Sequence, residues 1–457
     1  MSDATRTVGE IVDEIPVGRF HRRLLAVTGI VWGTTAMQII MVSFTLPALT
    51  EIWNLTSFQA GILGSATLFG MIVGNSLGGW YADRAGRTTA LAALVALFSI
   101  STGLTALAVG FYSAVLLRLV TGLGVGGTVA TTASYLTEHV PTDRRGRYLA
   151  YLELFYAVGN VVTVLLAAAV LPAGVTDGTV FGVAAWRVFY AVAASPLVLA
   201  VVVHYRLAES PYYLATAGEI RRATDRLRAI AAANDADVTL PDGGVETETE
   251  ASAGFRRLFQ RDVVGTTALT TVLWFGLNFG YYGLFIWLPD TVQAAGYVGG
   301  LYAYLFVVTV FQVLGVAAAS LAVDRIGRKT TLSVSFTLAG LSTALFTVAV
   351  PGVDLGFGIG GRVPFLAGLF ATGFFVFAVF AVIFAYTTEL FPTEVRSTGL
   401  GFTGGVGKIA AVVGPVLVGW LVGFGYLAAL APFAVALVAA GVLVAVFGRE
   451  TMGATLR

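Results

Sequence analysis

Cysteine is absent from all 457 residues, which excludes a disulfide framework, thiolate catalysis and any Cys-ligated metal centre. Histidine is scarce: His21, His139 and His204 lie in unrelated flanks, so no His-based metal cluster is expected. Charge is scarce too. Only 12% of residues are charged, about half the usual ~25% of a soluble domain, and 27 basic residues nearly cancel 26 acidic ones. Net charge therefore points to no polyanionic partner, and no nucleic acid is expected. The apolar stretches also lack the period-2 alternation of a membrane barrel. What is abundant is apolar surface: 57% hydrophobic residues and a mean hydropathy of +0.84 make lipid the expected solvent.

A spanning helix needs about 20 mostly apolar residues. Such runs occur near 24–49, 58–81, 88–109, 111–136, 147–171 and 184–205, and again near 263–289, 298–322, 329–350, 363–389, 397–422 and 424–447. The first is too long for a signal-peptide core and ends in no small-residue cleavage site. Placing both termini in the cytoplasm puts all but four of the 27 Lys and Arg residues on that side, as the positive-inside rule requires. The exceptions are Arg187 and Arg362 outside, and Arg118 and Lys408 within segments. The expected organisation is a cytoplasmic tail (1–23), a six-helix bundle (24–205), a cytoplasmic linker (206–262), a second six-helix bundle (263–447) and a cytoplasmic tail (448–457). Within the linker, Glu219 to Ala233 has helical spacing, and Asn234 to Gly254 is acidic and expected to be flexible.

The two halves repeat their charged corners. Asp83-Arg84-Ala85-Gly86-Arg87 follows the second segment, and Asp324-Arg325-Ile326-Gly327-Arg328 follows the eighth. Glu138-x-x-Pro141-x-x-x-Arg145 follows the fourth, and Glu389-x-x-Pro392-x-x-x-Arg396 follows the tenth. One charged corner is an ordinary solvated loop; two matched pairs in matched places mark an internal repeat. An Asp ahead of a helix start is favoured by the unsatisfied N–H groups there, by ~0.3–1 kcal/mol when exposed, and Glu138 and Glu389 are expected to reach the arginines of the neighbouring corners.

These residues carry a resemblance to the major facilitator superfamily, and within it to the metabolite transporters near the sugar porters and the synaptic-vesicle-glycoprotein-like group. Gly78-Gly79-Trp80-Tyr81-Ala82-Asp83-Arg84-Ala85-Gly86-Arg87 resembles the superfamily's signature loop. Arg118-x-x-x-Gly122-x-Gly124 resembles its fourth-helix motif, and Glu209-Ser210-Pro211-Tyr212-Tyr213-Leu214 the segment after helix 6, with Tyr212 in place of the usual Arg. The resemblance spans essentially the whole chain. It implies an all-α membrane protein of twelve transmembrane helices in two pseudo-symmetric bundles. It also implies a gating role for Asp83, Arg84, Arg87, Glu138, Arg145, Asp324, Arg325, Arg328, Glu389 and Arg396, as ionic latches between the cytoplasmic ends of the two halves.

Ionisable groups inside the bilayer cost at least ~2.5–3.5 kcal/mol and mark function. Lys408 lies about eleven residues into its segment, some 16 Å deep, and is the foremost candidate for solute contact; similar chains usually carry a basic residue there. Glu153, Tyr156, Asn160 and Thr163 form a polar stripe on the fifth segment, and Trp274, Asn278 and Tyr281, beside Tyr282, form another on the seventh, with Gln312 on the eighth. Asn160, Asn278, Tyr281, Tyr282 and Gln312 join Lys408 in the expected solute site. Resembling chains often carry acids on the first helix, where this one has Thr35 and Gln38; both are assigned to the solute site, and neither can carry a proton. Coupling then falls to Glu153, with Arg118, or the protein is a facilitator.

Gly122-Leu123-Gly124-Val125-Gly126-Gly127 follows no strand and is no dinucleotide loop. Gly405-Val406-Gly407-Lys408 is followed by Ile409 and is no phosphate loop. The expectation is therefore a monomeric, cofactor-free, non-enzymatic secondary transporter in the plasma membrane, moving an organic anion or related metabolite, with protons the candidate coupling ion. A sugar-like solute and a non-transporting sensor of the same fold are the alternatives.

Overall fold

The computed structural model describes residues 6–171, 178–241, 245–246, 255–350 and 361–452; the side chains of Asp324, Thr393 and Ser397 lie outside the described residues. Twelve helices are long and apolar enough to cross a membrane. They are α1 (Arg19–Ile52), α2 (Ser57–Ala85), α3 (Arg87–Thr105), α4 (Phe111–Thr137), α5 (Arg145–Val170), α6 (Ala185–Arg206), α7 (Val264–Ile286), α8 (Leu301–Ile326), α9 (Arg328–Val348), α10 (Arg362–Leu390), α11 (Arg396–Leu421) and α12 (Tyr426–Phe447). Each is apolar on nearly every face, the pattern of a helix surrounded by lipid and other helices. They form two six-helix bundles around a common interface.

Without a hydrophobic force between helices in lipid, close packing comes from small residues. Gly70, Gly74 and Gly78, one turn apart on α2, lie against the α4 backbone at Leu119, Leu123 and Gly127. A Cβ at any of them would collide with main chain, which cannot yield as a side chain can. The second close approach joins the halves. Near the start of α2 and the end of α11, Gly61 meets the Pro415 carbonyl and Gly419 meets that of Ser57. Ser65 Oγ donates to Val412 O across the halves (2.8 Å), and within the second half Trp287 Nε1 donates to Pro415 O (3.0 Å). These contacts seal the face opposite the charged corners.

The corners themselves show a repeated construction that differs from the expected one. α2 continues to Ala85, so Asp83 sits in its last turn and pairs with the Arg87 side chain. The free N–H groups opening α3 are taken by Glu209, which accepts from Arg87 N (2.8 Å) and Thr88 N. Glu450 does the same for α9, accepting from Arg328 N (2.8 Å). Gly86 (φ +92°) and Gly327 (φ +89°) make the two equivalent turns, a left-handed backbone that favours glycine.

Beside the corners, the short helix Val8–Glu14 packs Val8, Ile11 and Val12 against Leu227 and Ile230 of the helix Ile220–Ala233. The N-terminal tail is thus joined to part of the linker, and Arg6–Thr7 pairs in parallel with Val245–Glu246. Most of 242–254 lies outside the described residues.

His139, just past α4, is buried with Nδ1 donating to Tyr135 O (2.7 Å) and Nε2 without a partner. Burial pushes its pKa down to about 3, against 6.5 for a free side chain. The unfolded chain therefore takes up a proton between those values that the folded chain does not, so stability is full above pH 6.5 and falls as pH drops toward 3. We expect a thermal midpoint several degrees lower at pH 4.5 than at pH 7.5, and a smaller difference in His139→Gln. An unchanged difference in that variant, measured by thermal unfolding in detergent, would remove His139 as the cause.

Candidate functional site

Where the halves meet, α5, α7, α8, α10 and α11 bring polar and aromatic side chains together in mid-span. Tyr156 and Asn160, one turn apart on α5, share a face. Asn160 Nδ2 donates to Gln312 Oε1 (2.9 Å) and to the Tyr281 hydroxyl (3.2 Å), and the Tyr156 and Tyr282 hydroxyls lie 3.4 Å apart. Every one of these residues is less than a tenth exposed. Phe377 and Phe380 of α10 stand edge-on to Tyr281, with ring centres 5.4 and 5.3 Å away. Lys408 of α11 is half-buried and holds Nζ 5.7 Å from the centre of the Tyr282 ring, within cation–π range.

Glu153 lies two turns from Asn160 toward the charged corners. Its carboxylate feels the charge of Lys408 and faces the indole N–H of Trp32, which completes no hydrogen bond of normal geometry. Three amide atoms in this region are also buried without partners: Asn160 Oδ1, Gln312 Nε2 and Asn278 Oδ1. The remaining polar atom of Asn278, Nδ2, donates to Trp274 O (2.9 Å) on its own helix. The interface thus offers one cation, one carboxylate, unmatched amide donors and acceptors, and aromatic walls. That set can hold a small, flat, partly polar anion.

Three expected site residues are placed elsewhere. Gln38 turns into the first bundle, where its Nε2 donates to Ala193 O (2.9 Å) and its Oε1 accepts from Thr102 Oγ1 (2.6 Å). Thr35 Oγ1 donates to Trp32 O (2.7 Å), a back-bond to its own helix. Arg118, fully buried, donates from Nη2 to Thr102 Oγ1 (2.9 Å) and Thr105 Oγ1 (3.1 Å) and stacks its guanidinium 4.9 Å from the Tyr190 ring centre. Gln38 and Arg118 thus share a network among α1, α3, α4 and α6, apart from the interface cluster, whereas the Thr35 hydroxyl is bonded to its own helix. Their helical faces, invisible in a list of spacings, decide it.

The charged corners are likewise arranged within each half. Arg87 joins Asp83 to Glu138 (Nε to Oε1, 2.9 Å), and Arg328 lies 3.3 Å from Glu389. Arg145 donates to Val140 O (3.2 Å) and Tyr212 OH (3.4 Å), Arg84 stacks on Trp80, Arg325 is exposed, and Arg396 opens α11. The pairs Arg87–Asp83, Arg87–Glu138 and Arg328–Glu389 each lie within one half. The reason is reach: Arg87 and Arg328 each meet the carboxylate at the end of a neighbouring helix of their own bundle. The Asp324 side chain lies outside the described residues.

Sequence reasoning missed Trp32 as a neighbour of Glu153, and Phe377 and Phe380 as walls. The phenylalanines sit in a run on α10 so uniformly apolar that no periodicity singles them out. Glu450 was missed as well, although its place after α12 matches that of Glu209 after α6.

Comparison with known proteins fits this arrangement. The niacin transporter NiaP of Acinetobacter baylyi is 28% identical to the chain, over 97% of the chain and 98% of its own length. The synaptic vesicle 2-related protein of Xenopus laevis is 29% identical, over 91% of the chain and 76% of its own length. The inward-open xylose transporter XylE of E. coli superposes with a TM-score of 0.73 at 19% identity, covering 95% of the chain and 98% of its own. The model of the family described as sugar (and other) transporter matches residues 17–457. With twelve spans, two like halves and a polar cluster between them, the chain belongs to the sugar (and other) transporter family of the major facilitator fold and is an integral membrane transporter of small metabolites.

Proposed function

We propose that the solute is a small aromatic or heteroaromatic monocarboxylate of the niacin class. The observation that carries this reading is Lys408, a half-buried cation against the Tyr282 ring with no salt bridge among the described residues. Its charge fits a carboxylate, and the rings of Tyr281, Tyr282 and Phe377 fit a flat ring. The unmatched Gln312 Nε2 and Asn160 Oδ1 supply a donor and an acceptor, respectively, to a ring heteroatom or substituent. Leaving each unmatched costs ~1–3 kcal/mol, which an arriving solute relieves. The niacin transporter among the relatives supports the same class. A sugar would use the amides but leave the cation unmatched.

Glu153 competes with the solute carboxylate for Lys408. Protonating Glu153 removes that competition, so one proton accompanies one anion. Arg118, inside the first bundle, takes no part in this exchange. The protein acts as a monomer in the plasma membrane, with the charged corners and both termini in the cytoplasm.

Uptake of radiolabelled nicotinate into proteoliposomes tests the solute, with xylose as comparison. We expect saturable nicotinate uptake driven by an inward proton gradient, and no xylose uptake. In Glu153→Gln, uptake should persist as exchange but lose its acceleration by the gradient. Gradient-driven accumulation equal to that of the parent protein would refute the coupling assignment.

A further inference from the structure

A cavity of about 780 Å³ opens on the flank of the first bundle, between α1, α6 and the helix Ile220–Ala233. It is remote from the interface cluster. Its outer wall is apolar and faces the lipid: Val27 of α1, and Val201 and Tyr205 of α6, the last two 55% and 77% exposed. Its inner end is basic. Arg23 and Arg206 lie exposed on the rim, and Arg226 reaches in from the helix Ile220–Ala233. Among the described residues none of the three forms an ion pair with a carboxylate. Arg226 is half-buried, 5.4 Å from the Phe20 ring centre and beside the Tyr135 hydroxyl, with Nε enclosed and lacking a hydrogen-bond partner among the described residues. The carboxylates on this side, Glu138 and Glu209, are engaged with Arg87 and the start of α3.

The second bundle repeats the feature. Between α7 and α12 a cavity of about 440 Å³ is lined by Leu443 and Phe447 on its apolar side and by Arg261 and Arg449 on its basic side. The one acid there, Asp262, is 2.7 Å from Arg257. α7 and α12 occupy in the second half the places of α1 and α6 in the first. Two lateral cavities at equivalent positions, each apolar toward the bilayer and basic at the level of the charged corners, need a ligand of matching polarity.

We propose that the larger cavity seats the head group of an anionic phospholipid. The phosphate sits among Arg23, Arg206 and Arg226, and the first acyl carbons lie along Val27, Val201 and Tyr205. The volume is in the range of sites for ligands of this size, and basic pockets between helices at the membrane boundary select acidic head groups. A soluble phosphate would meet the arginines but leave the lipid-facing wall unused. The bound lipid ties the helix Ile220–Ala233, and through it Val8–Glu14, to the spanning helices. This inference is independent of which solute is carried.

The test uses the purified full chain, delipidated in detergent, with thermal stability measured against added phosphatidylglycerol, phosphatidylcholine, inorganic phosphate and glycerol 3-phosphate. Phosphatidylglycerol is expected to raise the midpoint at concentrations about tenfold lower than phosphatidylcholine, and the two soluble phosphates to have no effect. The preference should largely vanish in the double variant Arg206→Gln, Arg226→Gln. A shift of the same size from inorganic phosphate, or a preference unchanged in the double variant, overturns the proposal. Should the double variant fail to fold, Tyr205→Trp keeps every arginine and reports directly. Its added emission should be quenched more by spin-labelled phosphatidylglycerol than by spin-labelled phosphatidylcholine, and equal quenching overturns the proposal.

Discussion

Lys408→Ala is expected to raise the concentration of nicotinate needed for half-maximal uptake by about 10- to 100-fold, the equivalent of the ~1.5–3 kcal/mol that a hydrogen bond to a charged group contributes. The estimate sits below the cost of breaking a fully buried pair because Lys408 is only half-buried. The change removes the one cation of the interface cluster and leaves the solute carboxylate facing Glu153. Lys408→Arg restores charge but replaces a compact ammonium with a planar fork, so it should recover part of the loss. The neutral amide analogue of the solute should be almost indifferent to Lys408→Ala, and that contrast separates lost charge recognition from general damage. Uptake of both compounds reduced equally would place the carboxylate elsewhere.

Gly419→Leu should lower transport by more than about tenfold while leaving the protein folded. The Cβ of any residue at 419 would meet the Ser57 carbonyl closer than real Cβ atoms approach. The opposing atom is backbone, on the helix that also brings Gly61 against Pro415. Overpacking of this kind typically costs ~1–3 kcal/mol, and here the cost falls on one state only, the one in which α2 and α11 close the face opposite the charged corners. A shift of that size depletes the closed state by about 5- to 150-fold. Because the chain has no cysteine, Ser65→Cys supplies a single thiol under the seal, where Ser65 now donates to Val412 O. An impermeant maleimide applied from that face should label it slowly in the parent background and rapidly with Gly419→Leu. Protection that persists alongside full transport would show that the crossing does not gate.

Much of this molecule is legible without coordinates. The twelve spans stand out because the bilayer imposes length and apolarity on each helix separately, so each can be read locally. The repeat is legible because Asp83 and Arg87 recur as Asp324 and Arg328 at the same place between helices. Lys408 and Glu153 are conspicuous because a charge in mid-bilayer is costly and therefore rare. None of these inferences needs to know which helix touches which.

Contacts between distant helices are a different matter. Thr35, Gln38, Asn160 and Asn278 look alike as polar residues in apolar runs. Gln38 turns out to serve Arg118 through Thr102, whereas Asn160 bridges to Gln312 across the halves. A rotation of α1 by a third of a turn would exchange such roles, and nothing local sets it. Asp83 reads as the partner of the α3 N-terminus, yet Glu209 occupies that position.

The sequence by itself determined the solvent, the number of spans, the twofold internal repeat and the membership in a transporter fold, because hydropathy and charge placement act residue by residue. Only the tertiary structure decided which polar groups face the shared interface, that Arg87 and Arg328 pair with carboxylates of their own bundles, and that basic cavities open on the flanks of the bundles. Those depend on helix rotation and crossing, which are set by the fit of many side chains at once.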